Sequence, residues 1–197
     1  MARDSLLLLI CGPAGSGKTT LCDRLLEEFA PALQRVITST TRAPREGEVD
    51  GVDYHFLDED DFLRKVQVGE FYEHARVHSG YYGTLKSAIR GQFARGTDLV
   101  LNIDVQGAAS FRDIARSDAV LAARLVTVFI LPANIGQIRG RLQHRGKDGE
   151  EEIQRRLVTA EQEMAHKDQF DHVILSGTKE EDYAAFRNLY LAAREAS

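Results

Sequence analysis

A short apolar run, SLLLLIC from Ser5 to Cys11, passes directly into GPAGSGKTT, Gly12 to Thr20, and then into TTLCDRLLEEFA. The run is brief and almost wholly apolar, which predicts a strand buried on both faces. Beyond the glycines, Leu21, Leu25 and Leu26 recur at helical spacing. The turn between them fits G-x-x-x-x-G-K-[ST] at every fixed position, through Gly12, Gly17, Lys18 and Thr19. Glycines let backbone N–H groups curl around phosphate oxygens, and the following helix N-terminus adds positive potential. The expected triphosphate-binding residues are Gly12, Pro13, Ala14, Gly15, Ser16, Gly17, Lys18, Thr19 and Thr20. Lys18 is expected to reach the outer phosphates, and the Thr19 hydroxyl to ligate Mg²⁺. Such a loop predicts a nucleoside triphosphate site without naming a reaction.

Further strands are expected at RVITS, GTDLVLNIDVQG, ARLVTVFILPA and DHVILSG, with helices at DEDDFLRKVQVG and KEEDYAAFRNLYLAARE. Strands alternating with helices predict an α/β fold with a parallel sheet covered on both faces. Two segments break the rhythm. Residues 38–88 are polar and turn-rich, and residues 133–156 are rich in arginine. Both are expected to stand over the carboxyl edge of the sheet, where ligands bind in such folds. The remaining stretches, 1–37, 89–132 and 157–197, form the expected core.

At 197 residues, 43% of them hydrophobic, the chain holds enough material for a real core. A formal charge of −5 argues against a nucleic-acid or anionic-membrane partner, and no obligate protein partner is evident. LLLLI is too short for a signal peptide or a membrane span. Cys11 and Cys22 have neither metal-ligand spacing nor a paired framework. The expected location is cytoplasmic. His74 and His78 stand four apart with no third ligand at an interpretable spacing, so no metal site is expected there.

The stretch TSTTRAPREGEVDGVDYHF, residues 38–56, gathers hydroxyls, Arg42, Arg45, a glycine turn and Tyr54. A guanidinium grips phosphate oxygens through two parallel donors, so Arg42 and Arg45 suit a phosphate clamp; an idle, solvated basic loop is the competing reading. Together with GEFYEHARVHSGYYGT, LNIDVQGA, RLQHRGKDGEEEIQRRL and FDHVIL, this stretch resembles the guanylate kinases, in the family's order and at matching separations.

The resemblance implies a P-loop NTPase-type core with an inserted GMP-binding domain and an arginine-rich lid. It implies transfer of the ATP γ-phosphoryl group to GMP, and to dGMP, with ATP as co-substrate and Mg²⁺ as cofactor. Carried over by position, it puts Arg42, Arg45, Tyr54 and Tyr82 on the acceptor phosphate. Glu73 falls where guanine is read, with Thr38, Gly83 and Thr84 beside it. Lys18, Arg45, Arg145 and Arg156 become the catalytic cations. Asp104 is placed near GMP and, with Thr19, near Mg²⁺ or its waters, the alternative being a cap on the next helix. The bare pattern would leave Glu73 a solvated strand residue, and the arginines of 133–156 a solvated face.

The sequence departs from the family at Thr38, where serine is common, and at Asn102, where an acidic residue is usual. SGYYGT lacks the usual Gly-Asn, and LSG at 175–177 stands where an Asn-Asp pair is common on the adenine side. The alternatives are a non-catalytic binding module of the same fold and a kinase of another small acceptor. Lys18, the lid arginines and a free-standing chain argue against the first; Glu73 with Thr38 argues against the second.

Overall fold

The computed structural model describes residues 5–77, 80–145 and 149–196, the side chain of Arg145 excepted. His78 and residues 146–148 of the expected lid therefore lie outside the described residues. In chain order the elements are β1 (Leu7–Cys11), α1 (Lys18–Phe29), β2 (Leu33–Arg35), β3 (Ser39–Thr40), β4 (His55–Phe56) and α2 (Glu59–Gln67). They continue with β5 (Phe71–Val77), β6 (Gly80–Leu85), α3 (Lys86–Phe93), β7 (Asp98–Asn102), α4 (Val105–Ala115) and α5 (Ala119–Ala122). The last are β8 (Leu125–Pro132), α6 (Ile135–Arg145), α7 (Glu150–Met164), β9 (His172–Ser176) and α8 (Lys179–Glu195).

Five strands form a parallel sheet in the order β2-β7-β1-β8-β9. β1 lies at its centre and every residue of it is buried. Alternate side chains on a strand face opposite sides, so this uniform run still divides. Leu8 and Ile10 pack with Leu25 and Phe186, while Leu7, Leu9 and Cys11 pack with Ile89 and Phe111. Helices therefore cover both faces of the sheet, as the strand–helix alternation predicts. A third apolar cluster, Ile138, Leu142, Ile153, Leu157 and Ala160, joins α6 to α7. Cys11 and Cys22 are free and buried, and burial pushes both thiols up to about 12, which leaves them inert.

RVITS does not form one strand. β2 stops at Arg35 and β3 starts at Ser39, because the chain leaves the parallel sheet there and enters a second one. That smaller sheet has the order β4-β3-β6-β5. Its β5–β6 pair is antiparallel, with an irregularity between Phe71 and Glu73. A Cβ on Gly83 would stand 2.8 Å from the Glu73 carbonyl oxygen, so a side chain there would push the two strands apart beside Glu73. α2 begins where its acidic first turn suggests: Asp58 accepts from the Asp61 N–H, and Glu59, Asp60 and Asp61 follow it. The expected segment limits at 88 and 156 fall inside α3 and α7, so each helix runs continuously from an inserted segment into the core.

Candidate active site

β1, β7, β8 and β9 all end at one edge of the sheet, and the loops there carry most of the chemistry that the sequence suggests. After β1 the backbone turns at Gly12 with φ of 139°, and a Cβ at that position would stand 2.5 Å from the Ile130 carbonyl oxygen. Only glycine fits. Lys18 opens α1, and its Nζ donates to the Gly12 carbonyl at 2.6 Å and the Pro13 carbonyl at 3.0 Å. The ammonium is thus held across the first turn of the loop. The next residue, Thr19, is exposed, and the Asn102 side-chain amide donates to its hydroxyl at 3.4 Å.

A cavity of about 310 Å³ lies between the small sheet and the ends of β7 and α4. It is lined by Thr38, Tyr54, Glu73, Tyr82, Gly83 and Thr84 from one side, and by Asn102 and Asp104 from the other. Seven of the nine expected GMP-side residues therefore share one cavity, although they come from five separate stretches of chain. The Thr84 hydroxyl, itself buried, donates to Glu73 Oε1 at 2.6 Å. Burial pushes the Glu73 carboxyl above the usual range; the Thr84 hydrogen bond works against that rise, and the charge of Asp104 adds to it.

Asp104 stands at the start of α4 and at the wall of the cavity. It is the N-cap of α4, its Oδ1 accepting from the Gly107 N–H at 2.8 Å, and it is an exposed carboxylate lining the cavity. Capping fixes the direction of the side chain and leaves its charge in place.

The arginines are arranged less simply than their spacing suggests. Arg42 and Arg45 are not among the residues lining this cavity. Arg42 makes a two-point pair with Glu48, at 2.6 and 2.7 Å, and its guanidinium lies 5.1 Å from the centre of the Tyr54 ring. The side chain of Arg45 is exposed, and its backbone N–H donates to Glu48 Oε2 at 2.8 Å. The Arg42 pair holds the Glu48 carboxyl at about 2. The glutamate thus stands where an anion meets a guanidinium fork and a backbone donor, as a phosphate oxygen set would.

In the arginine-rich segment 133–156, the side chain of Arg145 lies outside the described ones, and Arg156 donates to Glu152 at 3.0 Å. Arg141, which belongs to the run that bare pattern reads as solvated, turns inward instead. Its Nη1 donates to the Ser16 carbonyl at 3.1 Å, and its Nη2 to the Ser176 hydroxyl at 3.2 Å.

Sequence reasoning missed Glu48, Arg141 and Glu163. Glu163, half-buried on α7, is pushed up by burial, an effect that Lys18 counters and Asp104 reinforces, so it belongs to the same charge group. No local signal separates it from the other glutamates of that helix. Among the described residues, no group of three or more His, Cys, Asp or Glu side chains is placed to hold a metal ion. Nor, among those residues, is any helix long and apolar enough to cross a membrane.

Known proteins carry the same plan. Residues 4–192 match the family model described as "Guanylate kinase". A guanylate kinase of Oleidesulfovibrio alaskensis is 41% identical over 191 residues, covering 97% of this chain and 89% of that protein. Another, of Hydrogenovibrio crunogenus, is 40% identical over 190 residues, covering 96% and 89%. The solved structure of guanylate kinase from Anaplasma phagocytophilum matches with a TM-score of 0.70 at 29% identity, covering 98% of this chain and 88% of that one. Sequence and fold agree along almost the whole length, and the chain belongs to the guanylate kinase family.

Proposed function

We infer that this protein transfers the γ-phosphoryl group of ATP to GMP, giving ADP and GDP, and that it also accepts dGMP. The observation that supports this best is Glu73, half-buried at the wall of the cavity and hydrogen-bonded to the buried Thr84. Guanine presents N1–H and an amino group side by side, and one carboxylate accepts both. Adenine has no such pair and, on covering the half-buried carboxylate, would leave it uncompensated. The acceptor phosphate would lie towards Tyr54 and Tyr82, with Arg42 and Arg45 brought to it by movement of their loop. Residues 38–88 act as the GMP-binding domain in this reading, and 133–156 as the lid.

An oxygen of the GMP phosphate attacks the γ-phosphorus, and the bond from that phosphorus to the bridging oxygen breaks, leaving ADP. With a second phosphate pKa of about 6, the attacking oxygen is already largely anionic at neutral pH and needs no general base. Lys18, Arg145 and Arg156 would neutralise the charge spread over the transferring group. Closure of the two inserted segments would keep water from competing. Mg²⁺ takes hard oxygen donors and keeps several waters and phosphate oxygens of its own. The Thr19 hydroxyl and the Asp104 carboxylate fit that demand, and when bound the ion would supply further charge neutralisation between the phosphates. A coupled ADP-release assay across GMP, dGMP, AMP, UMP and CMP tests the reading. Turnover is expected with GMP and dGMP; equal turnover with AMP would sink the guanine assignment, and none with any acceptor would favour a binding module.

Asn102 and Asp104 divide the polar work at the end of β7. Asn102→Asp converts the donor to Thr19 into an acceptor, a contact that the Thr19 hydroxyl can restore by turning. A change in kcat/KM of less than about tenfold, or 1.4 kcal/mol, is expected. Asp104→Asn keeps the Oδ1 cap on α4, so thermal stability should hold, but it removes the charge. Its kcat/KM should fall at least about a hundredfold, with partial rescue at excess Mg²⁺. A Mg²⁺ titration of both variants, read beside their melting curves, checks this; a silent Asp104→Asn would show that the cap is its whole role.

A further inference from the structure

A second cavity, of about 320 Å³, lies against the other flank of the glycine loop, touching Gly15, Gly17 and Thr20. Leu21 supplies an apolar wall, and Arg141 and Asp182 supply charge. If the loop holds a triphosphate, this cavity is the adjoining place for the nucleoside attached to it. Asp182 stands in the first turn of α8 and is 5% exposed, yet it lines this cavity. Its Oδ1 accepts from the Gly177 N–H at 2.7 Å, and its Oδ2 from the Ser176 hydroxyl at 2.7 Å. Arg141, pinned to the Ser16 carbonyl and to Ser176, comes within 4.0 Å of the same carboxylate. The chain thus has no side-chain acid or amide at the SG turn of 176 and 177, but brings a carboxylate to it from the helix that follows.

We propose that Asp182 selects the base of the phosphoryl donor, accepting a hydrogen bond from the 6-amino group of adenine and rejecting the 6-oxo group of guanine. The chemistry follows from lone pairs. An ionised carboxylate offers about four acceptor directions and no donor. Ser176, Gly177 and Arg141 leave it acceptor capacity. Adenine presents an amino donor at its 6-position, whereas guanine presents a carbonyl oxygen there. An oxygen set against a buried carboxylate repels it and is itself left without a donor. The site therefore keeps the two nucleotides apart: one carboxylate, Glu73, takes guanine on the acceptor side, and another takes adenine on the donor side. This inference rests on the proposed phosphoryl transfer to GMP.

The test begins with the unmodified enzyme, with GMP as acceptor and ATP, purine riboside triphosphate, ITP and GTP as donors. Removal of the 6-amino group in purine riboside triphosphate should raise the donor KM at least about tenfold, and the 6-oxo donors should be poorer still. Equal use of all four donors would overturn the proposal without touching the proposed reaction, whereas no GDP from any donor would overturn that reaction itself. Asp182→Asn then supplies an amide that can donate to a 6-oxo group. The ratio of kcat/KM for ATP to that for GTP should fall by at least about thirtyfold, with KM for GMP within about threefold of the original. Were Asp182 only a brace for the turn between β9 and α8, the variant would melt earlier and lose ATP and GTP alike, with the ratio unchanged. That outcome would refute the assignment.

Discussion

Lys18→Met is expected to lower kcat by at least about a hundredfold, some 2.7 kcal/mol of transition-state stabilisation, while KM for GMP stays within about threefold. The ammonium is held by the Gly12 and Pro13 carbonyls at the head of the phosphate loop, and it is absent from the cavity lined by Glu73. Methionine keeps the unbranched stem, so packing around α1 is preserved and only charge and donors are lost. In phosphoryl transfer, where positioning and charge neutralisation supply almost all of the catalysis, that loss falls on the chemical step. Steady-state kinetics with both substrates varied, read beside a melting curve, settle the matter. A variant that keeps more than a tenth of the original kcat would remove Lys18 from the transferring phosphates.

The second large effect belongs to Glu73. Glu73→Gln keeps the shape and can retain the contact with Thr84, but it replaces half of the acceptor pair with a donor aimed at the donors of guanine. kcat/KM for GMP should fall at least about a hundredfold, or 2.7 kcal/mol, with KM for ATP nearly unchanged. Burial also raises the Glu73 carboxyl above the usual glutamate range, which gives the wild type a pH signature. Reading guanine requires the ionised form, so KM for GMP should rise as pH falls through the raised value. Folding runs the other way. A group that binds its proton more tightly in the folded state contributes stability that is lost as pH rises through its folded pKa, so the free protein gains from this residue on acidification. Glu73→Gln should remove both dependences together, while titration of the GMP phosphate remains in both proteins as the background. An identical GMP profile in wild type and variant would mean that another group reads the base.

The backbone plan was legible from short-range pattern. An apolar strand feeding a glycine loop and a helix admits few folds, and the alternation of strands with helices marked the parallel sheet. The cavity residues Thr38, Tyr54, Glu73, Tyr82, Thr84 and Asp104 were legible only by resemblance, because none of them is distinctive where it stands. Residue type and spacing did determine what each could offer: a fork of donors from arginine, an acceptor pair from a carboxylate.

The tertiary structure decided which partner each group meets. Arg141 and Arg156 lie in the same arginine-rich stretch, yet Arg141 donates to Ser16, 125 residues away, while Arg156 turns to Glu152 within its own helix. Arg42, expected on a substrate phosphate, is paired with Glu48 of its own loop. Asp182 reads in sequence as one more acid in the first turn of α8, and only the fold sets it against Ser176, Gly177 and the glycine loop's neighbouring cavity. Local pattern records whether a face is apolar or polar, since burial follows the period of a helix or strand. It holds no record of which charge lies opposite, because that depends on how helices pack across the sheet edge, and the energy of a charged pair changes steeply with distance and burial.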